Sequence, residues 1–140
     1  MILLDTDHVT HLQWGGPAAE KISRRLQEAG LDIAATTIIS YEEHVRGWLS
    51  RLSAPKTLMY EVEIYAKLRQ QLEFYQTLEI HDFTEFAAIE FQKLRHIPVR
   101  IGTKDLKIAA IALASDALLL TKNLRDFRKV PGLRVEDATT

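Results

Sequence analysis

The chain has 140 residues, no cysteine, a hydrophobic fraction of 46%, a charged fraction of 26% and a formal net charge of -1. That length and mix predict one ordered globular domain over residues 1–140, without disulfides, thiolate metal sites or a cysteine nucleophile. No apolar run reaches the length of a membrane span, and the amino terminus lacks a signal-peptide pattern, so a soluble cytoplasmic protein is the expectation.

In chain order, Ile2, Leu3 and Leu4 read as a short buried strand that ends in Asp5-Thr6-Asp7. A short helix over His8 to Trp14 stops at Gly15-Gly16, and Pro17 suits the first turn of a helix reaching about Ala29. Leu31 to Thr36 is β-like, and Ile38 to about Leu52 is helical. Pro55 is placed to open a further helix, in which Leu58, Val62, Tyr65, Leu68 and Leu72 recur at helical spacing. Together these two helices predict an αα-hairpin over 38–77, whose apolar stripe is expected to be ordinary core. Leu78 to Ile80 reads as a brief strand. Asp82 and Glu85 have the spacing of a capping box for a helix carrying Phe83, Phe86, Ile89 or Phe91, and Leu94. Thr103 is the expected cap of an apolar helix from Lys104 to Ser115. Strands at Ala117 to Thr121 and Leu133 to Val135 complete the pattern. Alternation of short strands with helices predicts a three-layer α/β/α domain around a parallel sheet of about four to five strands.

In such a sheet, catalytic and ligand groups collect at the carboxyl edge. Asp5 follows the first strand, Glu43 lies early in the helix after the second, and Asp126 follows the strand at 117–121. Asp105 opens a helix that runs antiparallel to that strand, so it too lies over the edge. Each acid has a plainer reading: helix cap for Asp5, dipole partner for Asp105, solvated acid for Glu43, turn residue for Asp126. Gathered together they would repel, at on the order of 4 kcal/mol per pair at about 4 Å and a dielectric near 20. Raised pKa values or a bound cation relieve that cost, and an all-oxygen donor set favours Mg²⁺ or Mn²⁺. His8 and His11 lack a clear third ligand, which favours a structural role.

Charge is unevenly spread. Residues 93–134 hold ten Lys or Arg against three Asp, leaving eight basic and sixteen acidic residues elsewhere. A polyanion would meet a locally positive surface. Lys104, Lys107, Arg125 and Arg128 are the candidate phosphate contacts, and no base-reading motif is visible.

In order and spacing, four segments resemble the PIN-domain family, and more narrowly the VapC-type ribonuclease toxins. They are Leu3-Leu4-Asp5-Thr6-Asp7, Ile39-Ser40-Tyr41-Glu42-Glu43-His44-Val45-Arg46-Gly47, Gly102-Thr103-Lys104-Asp105-Leu106-Lys107-Ile108-Ala109-Ala110 and Leu120-Thr121-Lys122-Asn123-Leu124-Arg125-Asp126-Phe127, and the ending Val130 to Asp137 is also typical. The resemblance implies that Asp5, Glu43, Asp105 and Asp126 are metal ligands, with Thr6, Asp7, Thr121 and Asn123 as supporting polar groups. Glu43 is preferred over Glu42 because Gly47 follows it by four residues, as in the family's Glu-x-x-x-Gly element. Three positions depart from the pattern: Asp7 for the usual Asn, His44 for an aliphatic residue and Ala138 for a common Trp. The implied activity is Mg²⁺- or Mn²⁺-dependent endoribonuclease action on RNA, leaving a 3′-hydroxyl and a 5′-phosphate. The implied partners are a VapB-like antitoxin and a second copy in a homodimer, with the hairpin as the surface for one of them.

Two other readings stay open at this level. Asp5 and Asp7 also fit the Asp-x-Asp element of haloacid-dehalogenase-type phosphatases, although no late Asp-Asp pair follows a strand. A PIN-like module that binds RNA or protein without cutting is the non-enzymatic alternative.

Overall fold

The computed structural model describes residues 1–54 and 57–140. Five strands share one sheet: β1 (Ile2–Leu4), β2 (Ala35–Thr37), β3 (Glu79–His81), β4 (Leu118–Leu120) and β5 (Arg134–Glu136). Their order is β3-β2-β1-β4-β5, with every pairing parallel. Connecting them are α1 (Thr6–Trp14), α2 (Pro17–Glu28), α3 (Ile38–Ser53), α4 (Leu58–Tyr75), α5 (Glu85–Arg95), α6 (Thr103–Ala114) and α7 (Leu124–Phe127).

Alternation along the strands makes the three layers. Ile2, Leu4 and Leu120 enter one core with Val9, Ile22, Leu26 and Tyr75, which come from α1, α2 and α4. Leu3 and Leu119 point to the opposite face and pack with Ile39, Leu94, Ile108 and Ala109 of α3, α5 and α6. Both faces of the sheet are covered, as a parallel sheet requires. Because β2 lies on one side of β1 and β4 on the other, the chain reverses direction at β1. The crevice past the carboxyl ends of β1 and β4 is therefore the topological switch point.

Element boundaries move by a few residues, for local reasons. Leu31 donates its N–H back to Leu26 O at 3.0 Å and Gly30 takes φ +75°, so the capping turn after α2 uses residues up to 31 and β2 starts only at Ala35. The expected Asp82–Glu85 capping box does not form. Phe83 packs edge-on to Phe91, holding the chain extended, and the Thr84 hydroxyl caps α5 by accepting from Ala87 N–H at 3.1 Å. Nor is Thr103 a cap. The Gly102 carbonyl accepts from Leu106 N–H at 2.9 Å, which makes Gly102 the cap residue and Thr103 the first helical one. Pro55 lies outside the described residues, and Thr57 caps α4 through Tyr60 N–H.

The hairpin forms as α3 and α4, which pack together. Its stripe is not core, contrary to expectation. Leu58 is 76% exposed, and Val62, Tyr65 and Leu72 are also exposed, while α4 buries Ile64, Gln71 and Tyr75 instead. Those three lie at steps of seven and four, an inward face the apolar pattern did not reveal.

Candidate active site

Asp5 is only 5% exposed, at the end of β1, with its N–H donating to Leu120 O of the neighbouring strand at 2.8 Å. Its Oδ1 accepts from Thr6 N–H at 2.7 Å, capping α1, and its Oδ2 accepts from the Thr121 hydroxyl at 2.7 Å. The capping reading of this residue holds through one oxygen, and the other faces the Thr121 hydroxyl. Burial, and then the charge of Asp7, push the carboxyl up to about 7, against the opposing pull of the Thr121 and Thr6 hydrogen bonds.

Glu43 is reached from the other side. The Thr6 hydroxyl donates to Glu43 Oε1 at 3.0 Å and lies equally far from Ser40 Oγ. Burial raises this carboxyl, the Thr6 hydrogen bond opposes the rise and Asp105 adds to it. Its neighbour Glu42 points away and binds Lys104 at 3.1 Å and Arg46 at 2.6 Å. Successive helical residues point about 100° apart, so only one of the pair can face the crevice. That residue is Glu43.

Asp105, in the first turn of α6, is raised by burial and by Asp126. Asn123 spans the two acids, its Nδ2 lying 3.4 Å from Asp105 Oδ2 and 3.2 Å from Asp126 Oδ2. Asp126 is held below the usual carboxylate range by Asn123 and by Lys129, whose ammonium is 3.3 Å away. Asn123 is in turn fixed by donating its N–H to Thr121 Oγ1 at 2.9 Å. Thr121, fully buried, is the hinge of this network: it accepts from the β4–α7 loop and donates to Asp5.

Asp7 is committed on both oxygens. Oδ1 accepts from His8 Nδ1 at 2.6 Å and Oδ2 from Lys122 N–H at 3.0 Å. His8 is wholly buried, and its Nε2 accepts from Ala138 N–H at 3.1 Å, so Asp7 ties α1 to both the β4–α7 loop and the carboxyl-terminal segment. A second departure, His44, joins the Thr10 hydroxyl to Tyr75 inside the α1–α3–α4 packing.

Four acids from four chain segments thus influence one another across the switch crevice. Asp105 is felt by Asp5 and Glu43, and Asp126 by Asp105. Among the described residues no three His, Asp or Glu side chains close round one point as a finished ion cage. The donor set nevertheless suits Mg²⁺ or Mn²⁺, since Mg²⁺ keeps several waters and needs only one or two carboxylates. Raised carboxyls on Asp5, Glu43 and Asp105 mark the charge such an ion would neutralise.

The cations divide. Arg125 and Arg128 stand exposed at α7 beside Asp126. Lys104 is engaged with Glu42. Lys107 lies two residues on from Asp105, about 200° round the helix, with its ammonium 5.8 Å from the Phe83 and Phe91 ring centres. The structure does not bring it to the acids. Ser40 and Lys129 were not singled out from the sequence, and only the Ser40 position within the Glu43 segment hinted at either.

A family model described as the PIN domain matches residues 2–133. The chain belongs to the PIN-domain family. It is 37% identical over 68 residues to the tRNA(fMet)-specific endonuclease VapC of Salmonella typhimurium, covering 46% of this chain and 52% of that protein. Ribonuclease VapC2 of Rickettsia felis is 35% identical over 68 residues, covering 46% and 51%. This PIN domain thus spans about half the length of the curated relatives it matches. Among solved structures, VapBC2 from Rickettsia felis bound to a promoter DNA fragment superposes with a TM-score of 0.74 at 26% identity, covering 98% of both chains. DNA-bound VapBC from Salmonella typhimurium gives 0.76 at 25% identity, covering 98% of this chain and 97% of that one. Family membership sets aside the dehalogenase-type phosphatase, and in this fold Asp7 is engaged by His8 and the Lys122 N–H.

Proposed function

We propose that this PIN domain is a divalent-metal-dependent endoribonuclease acting as the toxin of a VapBC-type toxin–antitoxin pair. The observation that carries the reading is the placement of Asp5, Glu43, Asp105 and Asp126 from four segments at one sheet edge, each braced by a hydroxyl, amide or ammonium group. All five strands share one sheet, which supports treating residues 1–140 as one nuclease domain. The VapC names of the relatives and the VapBC titles of the similar structures support the toxin assignment and a VapB-like antitoxin as partner, and the homodimer is part of the same reading. No helix among the described residues is long and apolar enough to cross a membrane.

In this reading the four carboxylates would hold Mg²⁺ or Mn²⁺, which would supply water activation and charge neutralisation for phosphodiester hydrolysis. Thr121 and Thr6 fix the carboxylate orientations of Asp5 and Glu43, as outer-shell groups do. Arg125 and Arg128 engage phosphates flanking the scissile bond, independently of base identity. One relative is named for tRNA(fMet), so tRNA is the first substrate to try.

Purified protein with Mn²⁺ should cut RNA, and Asp5→Asn should lower the rate at least about 100-fold, a loss of roughly 3 kcal/mol of transition-state stabilisation. Glu43→Gln should do the same and Glu42→Gln should not. If Asp5→Asn left the cut pattern of cellular RNA unchanged, the site assignment would fail. No cleavage and no metal binding by the wild type would leave a non-catalytic binding module.

A further inference from the structure

Beyond Glu43 the site continues into a second cavity of about 200 Å³, between α1 and α3 with α4 as its floor. Glu43 is part of its wall, so the cavity adjoins the carboxylate cluster at that residue. The chain has two tryptophans, Trp14 and Trp48, and both line it. Trp48 Nε1 donates to Gln71 Oε1 at 3.0 Å, and buried Gln71 is held in turn by Gln13 at 2.8 Å. With its polar edge satisfied inside the protein, that indole offers a ligand only π surface. A cation attends each ring: Arg51 lies 4.7 Å from the Trp48 ring centre, and Lys67 lies 4.4 Å from that of Trp14. Gly47 stands at the wall, where an added Cβ would meet nothing within 4 Å, so the space beside Trp48 is kept clear.

Indole rings with cations stacked over them offer single-stranded nucleic acid two kinds of contact: bases stack on rings and on the guanidinium plane, and backbone phosphates find the charges. An apolar side chain of a protein partner would fill the space but gain nothing from Arg51 and Lys67. We propose that this cavity is a nucleobase-stacking subsite, taking one unpaired base of an RNA strand next to the phosphate presented to the carboxylates. The inference rests on the ribonuclease reading for the identity of the strand. It adds that substrates must be unpaired beside the cut, and that Trp14 and Trp48 select for this.

Since both tryptophans line the cavity, intrinsic fluorescence reports on it without a label and without catalysis. With a chelator present, full-length protein titrated with a single-stranded oligouridylate should show quenching. A ribose-phosphate strand of equal length lacking bases should bind at least about fivefold more weakly and leave the emission unchanged, one stacked base setting that lower limit. Trp48→Leu should weaken oligouridylate binding by a similar factor. Gly47→Leu keeps both indoles and should do likewise, which guards against misfolding of the tryptophan variant. Equal affinity for the strands with and without bases would overturn the subsite, as would quenching by N-acetylleucinamide but not by RNA. RNA cleavage in Mn²⁺, measured in parallel, separates the two ideas. Cutting without base-dependent quenching leaves the nuclease and removes the subsite, and base-dependent quenching without cutting does the reverse.

Discussion

Asp5 carries a conflict between stability and function. Its carboxyl stands at about 7 in the folded protein against 3.8 for the free side chain. The folded state therefore binds this proton more tightly than the unfolded one, and its contribution is complete below pH ~4 and lost as pH rises through about 7. Three units correspond to on the order of 4 kcal/mol, which Asp5→Asn should recover at pH 8. Denaturant melts in chelator should show the wild type losing stability between pH 5 and 8 relative to Asp5→Asn. Parallel curves would disprove the burial argument. Replacing Thr121 by Val removes both the donor to Asp5 and the acceptor for Asn123 N–H, and should cost about 10- to 100-fold in activity or metal affinity. At this scale the sequence exposed much: the acids and the Glu-x-x-x-Gly register picked Glu43. It did not expose what Asp7 binds, because His8, Lys122 and Ala138 are far apart in the chain and meet only through the sheet.

At the element scale α3 and α4 stand out. The exposed row Leu58, Val62, Tyr65 and Leu72 is an apolar helix face left uncovered by the described residues and interspersed with charged ones, the form a protein interface takes. Val62→Glu together with Tyr65→Glu should leave the melting temperature nearly unchanged, since neither side chain is in the core, yet abolish antitoxin binding or dimerisation in a pull-down or light-scattering assay. A large loss of melting temperature would return the stripe to the core. The helical period was readable, but period alone does not say which face is buried. Buried Gln71 and Tyr75 share α4's inward face because their polar atoms find Trp48, Gln13 and His44. Helix starts are not legible locally for a related reason: Asp82 and Thr103 are acceptable caps, but the packing of Phe83 and the Gly102 carbonyl that begins the ladder set the starts instead.

For the molecule as a whole, folding brings like charges together at the switch crevice, and a bound cation reverses that cost. Mg²⁺ or Mn²⁺ at 100 times its dissociation constant should stabilise the protein by about 2.7 kcal/mol, read as a rise in melting temperature, and Asp5→Asn should blunt the rise. Equal shifts in both proteins would place the ion elsewhere. By itself the sequence determined the parallel three-layer fold, the hairpin, the family and the gathering of four acids at one sheet edge, because hydrophobic period, turn residues and motif spacing are local properties of the chain. Only the tertiary structure decided which oxygen of Asp5 caps and which faces Thr121, that Lys107 turns away from the acids, and that two tryptophans 34 residues apart line one cavity beside Glu43. Those facts depend on the angle at which α1 and α3 pack across β1 and β2, and packing angles are set by side chains meeting across space rather than along the chain.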